Sequence, residues 1–324
     1  MTLRLMIDQQ AWRTHVQRVD DQTADLVPVV KGNGYGFGRQ QLARLAATFA
    51  DEIAVGTVHE LADVAEAIDR PLTAIVALTP AMHLPAHLVP NAVPTVGAVA
   101  HVNVLINHGW RGPVAIKLES SMHRHGASPE VFPQVQAAVL SAGCRVHQYV
   151  LHLPLQSASF TADLAVAQVE QWLPHLDPAV AISLSHLPVS VYDTLRARHQ
   201  DRAFRLRSGT ALWHGDKSFL HLSADVLEVR PTPIGQPIGY RQRPGPASGH
   251  VVMVGAGSAH GVAALDGGRS PFHFQRQRLP LAEPPHMHTS MVVVGNGSPV
   301  PQVGEWIDVQ RPLTMVAVDS LDWR

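Results

Sequence analysis

The chain has 324 residues, 46% apolar and 16% charged, and its 26 acidic side chains nearly cancel 25 basic ones. That balance argues against nucleic acid or an anionic membrane as the main partner, and the length suits one large domain plus a smaller one. No run approaches the roughly 20 apolar residues of a membrane helix, the first residues carry no long apolar stretch, and the single cysteine, Cys144, precludes an internal disulfide; a cytoplasmic protein is expected.

In chain order, Leu3 to Ile7 reads as a strand. From Leu26 onward, short β-branched runs alternate with segments of helical period, the pattern of βα units around a parallel sheet. Eight such runs occur: Leu26 to Lys31, Ile53 to Gly56, Thr73 to Leu78, Val93 to Val96, Val114 to Leu118, Val146 to His152, Ala181 to Ser185 and Phe204 to Arg207. Between them lie helical patterns at Gln40 to Phe49, Val58 to Ile68, Pro129 to Ala142, Asp163 to Leu173 and Val189 to His199. Ser128, Pro129 and Glu130 carry start signals for the third of these, and Gly143 a stop signal. Eight strands suggest closure into a (β/α)8 barrel. After about Gly215 the helical period gives way to alternating runs at Leu220 to Val229, His250 to Val254, Met291 to Val294, Trp306 to Val309 and Thr314 to Val318. Turns are expected at Pro244 and Gly245, Asp266 and Gly267, and Asn296 and Gly297. The expected fold is α/β, a TIM barrel over residues 9–215 followed by an all-β domain over 216–324, with an N-terminal strand within 1–8.

One segment carries chemistry on its face. In VVKGNGYGFG, Val29 to Gly38, Lys31 closes an apolar strand and a glycine-rich turn follows, with Asn33 and Tyr35 nearby. The C-terminal ends of barrel strands are where reactive groups sit, so Lys31 is a candidate Schiff-base lysine; a plain surface lysine is the competing reading. The twenty histidines are scattered, and their number alone assigns no chemistry.

The segment resembles the cofactor-lysine motif of alanine racemases, fold-type III enzymes that use pyridoxal 5'-phosphate (PLP). The resemblance implies a Lys31 aldimine and continues along the chain. RLRSGTALWHG, 205–215, is similar to the segment in which an arginine faces the pyridine nitrogen and small residues bind phosphate, which implies those roles for Arg207, Gly209 and Thr210. KLESSMHRHG, 117–126, resembles the segment that binds the substrate carboxylate, implying that role for Arg124, with Lys117 in support and Gly126 closing the loop. His152 stands where the family stacks an imidazole near the ring, and Tyr35 lies in the cofactor motif. ISLSHLP, 182–188, replaces the family's Asn-Ser phosphate pair, leaving Ser185 and His186 as substitutes.

The second half departs from the family. The tyrosine that supplies the second base has no counterpart in VMVGAGSAHG, 252–261, where Ala256, Gly257, Ser258 and His260 stand near its place. PPHMHTSM puts His288 where the family has an aspartate, and Tyr240 matches a structural tyrosine. Loss of the second base without replacement removes roughly 10²- to 10⁴-fold in rate. Three readings stay open. His260, His286 or His288 replaces the tyrosine; or His286 and His288, expected on one strand face, form a metal pair as in lyases, aldolases and dehydratases of the D-threonine aldolase kind; or the protein binds PLP without catalysis. Lys31, His260 and His288 are expected to be the catalytic residues, with no metal. A small amino acid is the expected substrate, and the resemblance implies a homodimer.

Overall fold

The computed structural model describes residues 3–245 and 248–324; residues 1 and 2 of the expected N-terminal segment lie outside the described residues. The chain separates into two compact units. The barrel unit comprises His15–Gly34 and Gly38–Trp213, and the second unit comprises the residues through Thr14, Tyr35–Phe37 and His214–Arg324.

In chain order the strands of the first half are β1 (Leu3–Ile7), β2 (Leu26–Pro28), β3 (Glu52–Val55), β4 (Ala74–Ala77), β5 (Ala92–Val96), β6 (Pro113–Leu118), β7 (Arg145–Leu151), β8 (Ala181–Ser185) and β9 (Phe204–Ser208). The eight expected βα strands thus form as β2 to β9. They pair in parallel in the order β2-β9-β8-β7-β6-β5-β4-β3. A parallel bridge between Val29 and Ala54, with Val30 N–H donating to Ala54 C=O at 2.8 Å, brings the ends together. The helices are α1 (Gln9–Gln22), α2 (Arg39–Ala46), α3 (Leu61–Glu66), α4 (Val99–Asn107), α5 (Phe132–Ser141), α6 (Ala162–Trp172), α7 (Val189–Arg198) and α8 (Thr210–His214). Strands buried on both faces need continuous apolar runs, and Val135, Tyr149, Trp172, Leu184, Tyr192 and Phe204 are among the side chains packed between them and the helices.

Helix α5 begins later than its start signals imply. Ser128 Oγ donates to Glu130 Oε2 at 2.5 Å instead of capping, and Pro133 is the proline of the first turn. Gly143 does end that helix, at φ +72. At the opposite end of the strands from the candidate site, a register shift in β6–β7 leaves His147 out of the ladder. Its Nε2 lies 2.7 Å from Glu52 Oε2, to which Arg205 Nη1 also donates at 2.6 Å. The N-terminal face of such a barrel serves stability, and this partly buried ion network around Glu52 belongs to it.

The second unit is a mostly antiparallel sheet built on β10 (Leu220–Thr232), with a hairpin β11 (Pro237–Ile238) and β12 (Arg243–Pro244), then β13 (Gly249–Val254), β14 (Phe272–Phe274), β15 (Gln277–Arg278), β16 (Ser290–Gly295), β17 (Trp306–Val309) and β18 (Ser320–Trp323). The long β10 pairs with β1 and β17 along its first half and, past an irregularity between Val226 and Glu228, with β13 along its second. A bulge of this kind bends a strand from one partner set to the next. Two expectations need correction. The Thr314 to Val318 strand is absent: Leu313–Met315 forms a 3-10 turn after Pro312, and the strand lies at Ser320–Trp323, in register with Arg4–Ile7. The turn expected at Pro244 and Gly245 falls earlier, at Gly239 to Gln242, because Arg243 and Pro244 pair with Ile238 and Pro237. No helix among the described residues is long and apolar enough to cross a membrane.

Candidate active site

Lys31 follows the end of β2, at the mouth formed by the C-terminal ends of the barrel strands. Its loop is held by specific bonds within the barrel unit. Gly34 N–H donates to Lys31 C=O at 3.1 Å, and Gly38 N–H to Asn33 C=O at 3.2 Å. Arg39 Nη1 donates to Gly32 C=O at 2.7 Å, while its Nε is anchored on Asp63 at 2.6 Å. Gly34 is required here: φ is +61, and a Cβ would come within 2.4 Å of Arg39 N. Lys31 keeps solvent access, yet the surrounding protein lowers its pKa by desolvation, and the charges of Arg124 and Arg207 lower it further against Glu60.

Glu60 was not singled out in the sequence. It accepts Gly56 N–H at 2.7 Å and Gly32 N–H at 3.3 Å, tying the ends of β2 and β3 beneath the lysine. Thr57-x-x-Glu60 is a helix-start pattern that flags the glutamate. Its reach to Gly32 depends on strand adjacency, which the pattern does not contain.

Arg207, near the end of β9, is buried. Nη1 donates to Ser183 C=O at 2.5 Å and to Ser183 Oγ at 2.8 Å, and Nη2 donates to Leu151 C=O at 3.1 Å. Desolvation lowers its pKa to about 10, opposed by Glu52, so the guanidinium is charged at neutral pH. Ser183 was also missed, for only the fold brings β8 beside β9. His152, just past β7, shares a 2.7 Å hydrogen bond between its Nδ1 and Ser185 Oγ, and its ring lies 4.7 Å from that of His186. Desolvation first, then Arg207, His186 and the two lysines, push His152 down to about 3, so the imidazole is neutral. His186 has φ +63, and its Nδ1 donates to Leu153 C=O at 2.8 Å.

Lys117, in β6, is buried with Nζ donating to Leu78 C=O at 3.2 Å. Desolvation and the charges of Arg207, Arg124 and Lys31 bring its pKa to about 7. Arg124 lies in the exposed loop after β6, whose base is closed by Ala127 N–H to Lys117 C=O and Glu119 N–H to Ala127 C=O, both 2.9 Å. Gly126 makes that closure possible, since at φ +129 a Cβ would meet Leu118 C and O at 2.4 Å. Gly209 and Thr210 follow β9, with Thr210 opening the short α8.

The depressed Lys117 pKa has a stability consequence. Unfolded lysine titrates near 10.4, so between about 7 and that value the unfolded chain holds the extra proton and stability rises with pH. We expect Lys117→Met to stabilise the protein at pH 6 and to lose that advantage by pH 9, as read by the difference in thermal midpoint across the range. A difference that does not change with pH would refute the assignment.

The remaining sequence candidates lie in the second unit. Tyr35 is buried at φ +54, edge-on to His214 at 5.7 Å, and its carbonyl meets His214 Nε2 at 2.7 Å. His260 is buried between Gly257 N–H, 3.1 Å from Nδ1, and Asp319, 3.1 Å from Nε2. His286 and His288 are not on a strand, contrary to the alternation expected of them. Pro284 and Pro285 supply no donors, His286 N–H closes a bend onto Thr289 C=O at 2.9 Å, and β16 starts only at Ser290. His286 Nε2 is 2.5 Å from Glu283 Oε1, whereas His288 faces the His260 ring at 6.1 Å. Among the described residues no group of three or more His, Cys, Asp or Glu is placed to hold a metal.

The chain is similar to known proteins over most of its length. Residues 7–216 match the family profile of the alanine racemase N-terminal domain. Alanine racemase of Chromohalobacter salexigens is 26% identical over 94% of this chain and 90% of its own length. That of Neisseria meningitidis serogroup A is 32% identical over 35% of this chain, a stretch spanning only 33% of the relative. Among solved structures, alanine racemase of Bartonella henselae with covalently bound pyridoxal phosphate superposes with a TM-score of 0.72 at 17% identity, covering 98% of both chains. That of Bacillus anthracis with bound L-Ala-P gives 0.73 at 19% identity, over 95% of this chain and 85% of that one. With the barrel, the lysine at its mouth and a profile match over most of the chain in agreement, this protein belongs to the alanine racemase N-terminal domain family.

Proposed function

We propose that this chain is a PLP-dependent isomerase of small amino acids, racemase-like in its chemistry. The observation that carries the reading is the gathering of Lys31, Lys117, Arg124 and Arg207 at one barrel mouth, close enough for their charges to disfavour one another. Such a cluster is unfavourable alone and suits a ligand of several negative charges, which a phosphorylated pyridine and an amino-acid carboxylate together supply.

When bound, PLP would provide an electron sink that makes the substrate Cα–H acidic. Lys31 would carry the group covalently and move a proton at Cα on one face, a task suited to a lysine of lowered pKa. Arg207, charged and locked by Ser183 and Leu151, would face the pyridine nitrogen and keep it unprotonated. That restraint favours a single proton transfer over wider carbanion chemistry. Gly209 and Thr210 would offer backbone amides to the phosphate. His152 would lie beside the ring as a neutral imidazole, and Ser185, whose hydroxyl is bonded to it, would position that ring. Arg124 would pair with the substrate carboxylate through its planar fork. A second proton carrier would come from the histidines of the second unit, in place of the family's tyrosine. Assembly as a homodimer belongs to the same proposal and is read by sedimentation.

Borohydride reduction of the PLP-supplied protein, followed by peptide mass mapping, tests the reading. A pyridoxyl adduct on Lys31 is the expected result, and its absence would withdraw every role assigned above.

A further inference from the structure

We propose that the second unit binds a small organic dianion with an apolar body, a phosphate monoester or a dicarboxylate, in a cavity of its own. The cavity measures about 780 Å³ and lies where β10 begins and β17 ends. Every residue that lines it belongs to the second unit, so the site does not depend on the racemase reading. Its volume falls within the range of clefts that enclose a small organic ligand.

The lining fixes the chemistry of the ligand. Leu5, Leu222, Val309 and Leu313 are buried and give the cavity an apolar floor. Lys217 and Arg276 are exposed and Arg311 is half-buried, so three cations line it as well. Against them stands a single carboxylate, Asp308, whose Oδ1 lies 2.9 Å from His221 Nε2. Arg311 Nε donates to Gly261 C=O at 3.1 Å, and none of the three cations has a carboxylate partner among the described residues. Three cations against one carboxylate leave an excess of two positive charges, which a dianion matches. The floor suits an apolar body attached to that dianion, since covering it removes apolar surface from water.

Two of these cations hold their places against the preference of their own backbone. β14 and β15 pair Phe274 with Gln277, so Gln275 and Arg276 form the two-residue loop between them, at φ +48 and +66. A hairpin loop with positive φ at both positions is ordinarily made by Asn-Gly, Asp-Gly or Gly-Gly. Lys217 is also left-handed, at φ +68, in a turn whose N–H donates to His214 C=O at 2.8 Å and whose C=O accepts Leu220 N–H at 3.0 Å. Glycine would take either conformation without the crowding of Cβ against the carbonyl oxygen. The fold therefore gains nothing from a lysine and an arginine at these two positions, whereas an anion held in the cavity they share would need both.

Isothermal titration calorimetry of the full chain, supplied with PLP, tests the site with phenyl phosphate, phthalate and uncharged phenol as probes. Saturable binding of a dianion is expected, and phenol is expected to bind far more weakly. Tighter binding of phenyl phosphate would assign a phosphate ester, and tighter binding of phthalate a dicarboxylate. Lys217→Gly and Arg276→Gly are each expected to weaken the dianion by about 10- to 100-fold, the worth of one charge-assisted hydrogen bond. Both should keep or raise the thermal midpoint without ligand, because glycine suits the backbone at each position. No saturable binding of either dianion, phenol binding as tightly as they do, or binding unchanged in either glycine variant would overturn the proposal. A midpoint lowered by both variants would make the two side chains structural and overturn it as well. Arg207→Met separates this cavity from the barrel mouth: binding is expected to survive it, and binding lost there but kept in the glycine variants would place the anion in the barrel.

Discussion

Lys31→Ala is expected to abolish α-hydrogen exchange of small amino acids in deuterated water, by at least about 10³-fold, while leaving the protein folded. The size follows from adding the loss of covalent attachment to the ~10²–10⁴ that one acid–base group supplies. The retained fold follows from the surroundings of the side chain. Lys31 holds the loop through its backbone, by way of Gly34 N–H, and its charge sits among Arg124 and Arg207, which disfavour it. Removing it relieves repulsion and leaves the Glu60 bonds to Gly32 and Gly56 intact. The thermal midpoint without cofactor should therefore stay level or rise slightly. Exchange that survives in Lys31→Ala would transfer the reaction to another group, and a collapsed midpoint would show that the side chain is structural.

The barrel was legible because its determinants are local. Each of the eight strands is a short β-branched run that must be buried on both faces, and the helices between them repeat their apolar residues at the helical period. Lys31, Lys117 and Arg207 could be placed at strand ends for the same reason. The groups that hold them could not: Ser183 reaches Arg207, Ser185 reaches His152 and Glu60 reaches Gly32 only because distant strands become neighbours. In the second unit the alternating pattern misplaced a strand at Thr314 to Val318. Register there is set by pairing with Arg4–Ile7, more than 300 residues away in sequence, and alternation alone does not encode that partner. His286 and His288 alternate like strand residues, but two prolines before them delay the ladder, so the pair separates onto different partners.

Arg207→Met tests the electrostatic argument most directly, because function and stability should part company. The guanidinium is buried, and among the described residues no carboxylate lies in hydrogen-bond reach of it; the carboxylate that supports its charge, Glu52, is shared with His147 and Arg205. Replacing a buried charge with an apolar chain of similar length recovers about 1–4 kcal/mol of desolvation. Leaving Ser183 and Leu151 oxygens without their donor costs about 1–3 kcal/mol. The two nearly offset, so the thermal midpoint should move by no more than roughly 4–8 °C in either direction. Exchange activity should fall by about 10²–10³-fold, the usual cost of deleting one preorganised charged donor. A second signature separates this from simple damage. Arg207 is the largest charge depressing both Lys117 and His152, so in the variant Lys117 should titrate above about 7 and His152 above about 3. The pH dependence that Lys117 gives to stability should then shift to higher pH. Arg207→Lys should keep those two pKa values near their starting points while still losing activity, since an ammonium retains the charge but lacks the fork that Ser183 and Leu151 hold in place. If Lys117 and His152 titrate unchanged in Arg207→Met, the four cations do not share one field, and the case for an anionic ligand at the barrel mouth falls with it.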